Sequence, residues 1–293
     1  MPGTEKNSSP IEELPVHIYS ADRKSGLLSI IKSFVKEFRA AHALGYRFAE
    51  RGIKARYRQS ALGILWAFLP PIATATIWII ISKLGVIKIG NVGAPYPLFV
   101  LTGTMLWSVF ANALQMPMQI MQNNRSILVK INFPREALLI NAFYEILFNA
   151  AITMLIVILE LIFFHVPLTL HSLLFIPGMF LLILLGMSLG LLILPFSLLY
   201  RDVQFAVPSV LQFAMYLTPV VYAKPLYKGA AKIMAYNPVT PVLTSARNSL
   251  LGIVNDVPHW QIGVVFGIAL VLLFIGIVLQ RITVEILIER MGS

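Results

Sequence analysis

The stretch Glu50–Lys83, ERGIKARYRQSALGILWAFLPPIATATIWIIISK, decides the fold. Arg51, Lys54, Arg56 and Arg58 run directly into a segment without charge from Ala61 to Ser82, 22 residues long. A helix rises about 1.5 Å per residue, so roughly 20 residues cross a hydrocarbon core about 30 Å thick. Lys and Arg beside a span hold that end on the cytoplasmic side. This one stretch therefore predicts a membrane entry, an orientation and a place where charge meets something soluble or anionic. Pro70 and Pro71 lie inside the span and are expected to break or kink it, since each lacks an amide and crowds the preceding turn. Trp66 sits near the cytoplasmic end, where indoles prefer the interface.

The whole chain shares this character. Of its 293 residues 58% are hydrophobic and 12% charged, and the mean hydropathy is +0.80. A soluble domain carries about 25% charged residues, so this is a polytopic membrane protein. Cysteine is absent, which excludes disulfides and Cys-ligated metals. A net charge of +10 raises nucleic acid as a partner. However, 11 of the 23 Lys and Arg fall in residues 1–60, beside the first span. Positive-inside anchoring and attraction to anionic lipid account for that placement, and no nucleic-acid partner is expected. The N-terminus has no short apolar region of the kind found in a cleavable signal peptide.

Working outward, residues 1–24 are polar and Pro-containing and are expected to form a flexible cytoplasmic tail. Residues 25–60 form an amphipathic basic interface segment. Leu27, Ile31, Phe34, Val35 and Phe38 recur at helical spacing, with Lys32, Lys36 and Arg39 on the other side. That pattern fits a helix lying in the membrane interface, or one packed on other protein. Residues 61–285 read as a six-span domain, with spans at about 61–83, 96–121, 137–164, 173–199, 205–223 and 260–280. Residues 286–293 form a cytoplasmic C-terminus, so both termini face the cytoplasm. Gly186 and Gly190 give the fourth span a small-xxx-small pattern suited to close helix contact. The connection 224–259 mixes apolar residues with Pro238, Pro241 and Gly252, and is expected to hold two short helices re-entering the outer leaflet. Irregular backbone at that depth survives only where protein or water covers it, which points to the lining or gate of a pathway. Lys224, Lys228, Lys232 and Arg247 fall outside in this topology, against the general bias; 17 basic residues remain cytoplasmic.

The chemistry is that of a conduit. There is no GxxxxGK[ST] loop for nucleotide phosphates and no paired-His metal spacing. No catalytic, cofactor-binding or metal site is expected. Glu145 and Glu160 are the ionisable residues inside spans, about 22 Å apart along one helix; they serve either as positioning groups or as a relay. Trp66, Trp107, Tyr216 and Tyr222 are candidate channel aromatics, able to stack on sugars or simply to pack. The internal loop 122–136 offers Arg125, Lys130, Arg135 and Glu136 as candidate contacts to a cytoplasmic partner. Arg51, Lys54, Arg56 and Arg58 are candidate interface or pyrophosphate contacts, since guanidinium forks suit phosphate. Asn237, Pro238 and Arg247 are candidate outer-gate residues.

These residues fall into an ordered set. RGIKARYRQSALGILWAFLP (Arg51–Pro70), LYRDV (199–203), YLTPVVY (216–222), Asn237–Pro238, Arg247 and LLG (250–252) together resemble the membrane subunit of ABC-2 type polysaccharide exporters, permeases for O-antigen, capsule or teichoic-acid polymers. The likeness covers roughly residues 25–285 and departs at Glu50–Arg51, where many members read Arg–Asp. The resemblance implies an all-α, type V exporter architecture working as a homodimer in the bacterial inner membrane. It implies a separate cytoplasmic ABC ATPase dimer that binds ATP and magnesium, and a lipid-linked polysaccharide cargo that passes between the subunits. It also implies that the N-terminal helix clamps the ATPase and that the loop after the second span is a coupling helix. Three alternatives remain: an ABC-2 drug or lipid exporter, an ion-coupled carrier using Glu145 and Glu160, and a membrane transferase, which would need a clustered acid/base or metal pair.

Overall fold

The computed structural model describes residues 27–58, 65–85, 92–130, 133–223 and 234–292, with side chains from residue 41 onward except 57, 67, 68, 129, 130 and 284–292. The expected tail at 1–24 and the three lysines of 224–232 lie outside the described residues. All regular structure among the described residues is helical: α1 (Leu27–Arg58), α2 (Leu65–Lys83), α3 (Tyr96–Asn123), α4 (Arg125–Lys130), α5 (Glu136–Phe163), α6 (Phe175–Leu199), α7 (Asp202–Tyr216), α8 (Val239–Leu251) and α9 (His259–Gly292). A 3-10 turn, Leu170–Leu174, leads into α6.

Local sequence explains the boundaries. Pro95 caps α3 and Pro97 lies in its first turn, where a missing amide costs no helical hydrogen bond. Glu136 opens α5 and Asp202 opens α7, acids at the positive end of the helix dipole. In LYRDV, Tyr200 turns extended and ends α6, and Asp202 starts α7 at once. The LLG motif ends α8: Leu250 and Leu251 are buried, and Gly252 takes the left-handed conformation, φ 67°, that a C-terminal cap requires.

Four helices among the described residues are long and apolar enough to cross a bilayer: Tyr96–Asn123, Glu136–Phe163, Leu170–Leu199 and His259–Thr283. One of the six expected spans differs. α2 has 19 residues, and residues 61–64, where the first expected span begins, lie outside the described residues. α2 runs unbroken through Pro70 and Pro71. These prolines fall near its start and remove only the amides that would reach the carbonyls at 66 and 67. The fifth expected span, 205–223, is helical only to Tyr216. Thr218 precedes Pro219 and is thereby pushed away from helical geometry; the chain turns at 217–221 instead. Of the two expected re-entrant helices, one turn at 234–236 and α8 are described. The last helix continues past 280 to Gly292.

α3 and α6 form the centre. A Cβ on Gly186 would stand 2.6 Å from the Phe110 carbonyl oxygen and 2.9 Å from the Ala113 methyl, so the absence of side chains there lets the two backbones touch. α5 packs on α3, and α9 packs on the outer side of α6 with much of its surface facing lipid. α1 lies along α5. Ala41 and Ala49 are buried, and Ala41 joins Ala137 and Ile140 in a small core. Exposed charge at Arg47, Arg51, Lys54 and Arg58 and protein contact at Ala41 and Ala49 thus coexist in one helix.

Candidate functional site

The polar residues of the spans converge on α3. Thr104, Ser108, Asn112, Gln115, Gln119 and Gln122 recur three or four residues apart and share one face. The opposite face, including Leu106, Phe110 and Ala113, is buried in the core. The polar face looks into two adjoining cavities that share Gln115. The first, of about 700 Å³, lies among α1, α2, α3, α5 and α7 and is lined by Arg56, Trp66, Trp107, Asn112 and Asn149 with Thr74 and Thr153. Asn149 Nδ2 donates to Asn112 Oδ1 across 3.0 Å. Trp66 is exposed on this cavity, whereas Trp107 is largely buried and rests on Phe110, ring centres 5.3 Å apart. The second cavity, of about 460 Å³, lies between α3 and α7 and is lined by Gln119, Gln122, Asn123 and Gln204 among apolar neighbours.

Arg56 reaches the first cavity from the end of α1 and pairs with Glu145 of α5. The arginine side chain is 41% exposed and the carboxylate 2%. Gly52 makes room, since a Cβ there would stand 2.8 Å from Glu145 Oε1. The other basic residues of this segment, Arg51, Lys54 and Arg58, are exposed on α1. Lys54 donates to Glu50 at 2.7 Å, one helical turn away; that hydrogen bond and the ammonium charge hold the Glu50 carboxyl below its usual range. The Glu50–Arg51 departure thus leaves Glu50 paired within its own helix. Glu160 sits apart near the C-terminal end of α5 and accepts from Thr102 Oγ1 at 2.9 Å. The two glutamates face different partners, and no further carboxylate joins either among the described residues.

A second constellation lies where α8 meets the turn after α7. Arg247 is 1% exposed. Its Nη1 donates to the Pro219 and Val220 carbonyls at 2.8 and 2.9 Å, and its guanidinium carbon stands 3.6 Å above the Phe99 ring. Asn237 Nδ2 donates to Thr218 Oγ1 at 2.8 Å, and its own Oδ1 accepts from the Val239 amide, starting α8 directly after Pro238. Tyr96 donates to the Val221 carbonyl at 3.2 Å. Two of the three candidate gate residues, Asn237 and Arg247, therefore meet the YLTPVVY turn. Tyr216 and Tyr222 belong here too: Tyr222 donates to the Tyr216 carbonyl at 2.7 Å and Tyr216 lies against Trp78. They are not brought to the cavity of Trp66 and Trp107.

α4 directly follows α3, carries Arg125 and ends at Lys130, whose side chain is outside the described residues. Arg135 is half-buried and Glu136 buried. No group of three His, Asp or Glu gathers as a metal site would need, among the described residues. Sequence reasoning missed the α3 amide face, although its spacing was there to be read. It also missed Phe99 and Tyr96, which no pattern in the chain marks.

A polar, tryptophan-walled cavity among bilayer-crossing helices is the arrangement of a membrane transport protein. The family model described as ABC-2 type transporter matches residues 46–251, and the chain belongs to that family as a membrane subunit. Membership implies an ABC ATPase partner. The chain is 25% identical to the O-antigen export system permease protein RfbA of Myxococcus xanthus over 215 residues, 72% of this chain and 81% of that one. Two proteins of the same description from Klebsiella pneumoniae are each 26% identical, over 247 and 245 residues, covering 80% of this chain and 92% of theirs.

Proposed function

We propose that this subunit is the permease of an ATP-driven exporter that carries lipid-linked polysaccharide such as O-antigen outward across the bacterial inner membrane. Two copies enclose the passage, α2 and α7 complete six spans, and both termini face the cytoplasm. The subunit itself holds no cofactor, and ATP and magnesium sit on a separate ATPase dimer. The observation that carries this reading is the cavity walled by Trp66 and Trp107 and edged with carboxamides: indole faces suit the C–H faces of sugars, and amides suit their hydroxyls. That the relatives are O-antigen export permeases supports the same reading. Arg56, at the cavity's edge, meets the diphosphate of the carrier lipid, with Arg51, Lys54 and Arg58 drawing it to the inner leaflet. α4, with Arg125, Lys130, Arg135 and Glu136, takes the push of the closing ATPase.

Reversing charge in α4, Arg125→Glu, tests the coupling. ATP hydrolysis by the purified complex should persist while export falls, and unimpaired export would remove α4 from the mechanism. Copurification from native membranes should bring down an ABC ATPase. An ABC-2 exporter of drugs or simple lipids would do so as well, but its deletion would leave no glycolipid stranded inside the cell.

A further inference from the structure

We infer that the polymer passing through this subunit is an uncharged glycan. The inference rests on the reading of the protein as a polysaccharide exporter and concerns what its lining selects.

The two adjoining cavities are lined by alcohols, carboxamides, tryptophans and aliphatic side chains. Among the described residues that line them, Arg56 alone is ionisable. Arg56 is at the edge and already has a carboxylate partner in Glu145. A second copy of the chain would bring the same lining and add no new kind of charge.

Charge inside a membrane is costly unless it is met by opposite charge or water. Pores for anions accordingly carry rings of Arg or Lys. A polymer with a carboxylate or phosphate in every repeat would keep several anions in the passage at once. Nothing on the α3 face answers them: Ser108, Asn112, Gln115, Gln119 and Gln122 are all neutral. A carboxamide offers two donors and an acceptor together. That complement matches hydroxyl groups, which both donate and accept, and is sequence-tolerant because every hexose presents them. A single cation at the edge fits a cargo that bears its anionic group once, at the lipid-linked end.

The test uses the native host. A strain lacking this permease should accumulate lipid-linked glycan at the inner membrane; the glycan is released from its carrier by mild acid and passed over an anion exchanger at neutral pH. Elution without retention is the expected result. Retained, acidic glycan overturns the inference and leaves the export reading standing. No accumulated glycan overturns the export reading and the inference with it. A second measurement uses Gln119, which is exposed on the lining. Gln119→Glu and Gln119→Lys should lower surface polymer by the same factor. A variant pair in which Lys exports as well as the parent while Glu blocks export would mean an anionic chain, and would overturn the proposal.

Discussion

Two arginines of this molecule are held in opposite ways. Arg56, near the end of α1, is paired with a carboxylate and is 41% exposed. Arg247, on α8, is 1% exposed and is held by two backbone carbonyls and the face of Phe99. No carboxylate pairs with it among the described residues. A buried guanidinium facing neutral dipoles is fixed by geometry, because only one arrangement of the turn presents both carbonyls to one nitrogen. A half-exposed guanidinium beside a carboxylate keeps donors free for something that arrives. Arg247 therefore belongs to the architecture of the 217–221 turn, and Arg56 is the arginine whose place in the proposed passage can be tested.

The largest effect should come from Arg247. Arg247→Met keeps the volume and removes both donors, leaving the Pro219 and Val220 carbonyls without them. An unsatisfied buried polar group costs about 1–3 kcal/mol, and part of that is returned because a buried cation is itself expensive. The net loss should be roughly 2 kcal/mol, read as a lowered thermal midpoint of the purified protein. Export should fall with it, since the turn that ends α7 loses its tie to α8. If Arg247→Met were as stable as the parent, the two arginines would not differ in the way described.

The Arg56–Glu145 pair should show a smaller and asymmetric effect. Glu145 is the buried partner. Arg56→Gln strands a carboxylate away from water, whereas Glu145→Gln leaves a cation that can still reach water. Arg56→Gln should be the more destabilising, and the double variant should recover most of that loss, a coupling expected at about 0.5–3 kcal/mol for groups in contact. Equal losses for the two single variants, with no recovery in the double, would show that the pair is not coupled.

What could be read in advance divides along the same line. The half that holds Arg56 was legible in part because its signals are compositional: the run Arg51–Arg58 before an uncharged stretch marked a membrane entry, and Gly186 with Gly190 marked a close helix contact without naming α3 as the partner. The partner of Arg56 was not, since Glu145 lies 89 residues away and only the docking of α1 on α5 joins them. The YLTPVVY, Asn-Pro, Arg247 and LLG pieces marked the other half, but not their joint purpose. That Asn237 and Arg247 close on one turn depends on α8 folding back against α3, which no periodicity specifies. The fifth span was drawn too long for a local reason, Pro219, that hydropathy alone overrides. The amide face of α3 was hidden by averaging: scattered glutamines and asparagines barely dent the hydropathy of a long apolar segment, though their spacing puts them on one line.

The smallest effect contrasts two glycines on the face of α1 that meets α5. A Cβ on Gly45 would stand 2.7 Å from the Ala137 carbonyl oxygen and 2.6 Å from Ile140 Cβ, atoms fixed to the α5 backbone. A Cβ on Gly52 would stand 2.8 Å from Glu145 Oε1, the far end of a flexible side chain. Alanine in a helix interior is favoured over glycine by about 0.8–1.0 kcal/mol. At Gly45 that gain cannot offset a collision with backbone, so Gly45→Ala should lower the thermal midpoint by separating the helices. At Gly52 the carboxylate can swing aside, and the propensity gain should leave the midpoint unchanged or slightly raised. The displaced carboxylate nevertheless pulls on Arg56. Gly52→Ala should therefore lower export while preserving stability, a combination that a purely structural ion pair would not produce. Unchanged export in a stable Gly52→Ala protein would return Arg56 to the same architectural role as Arg247.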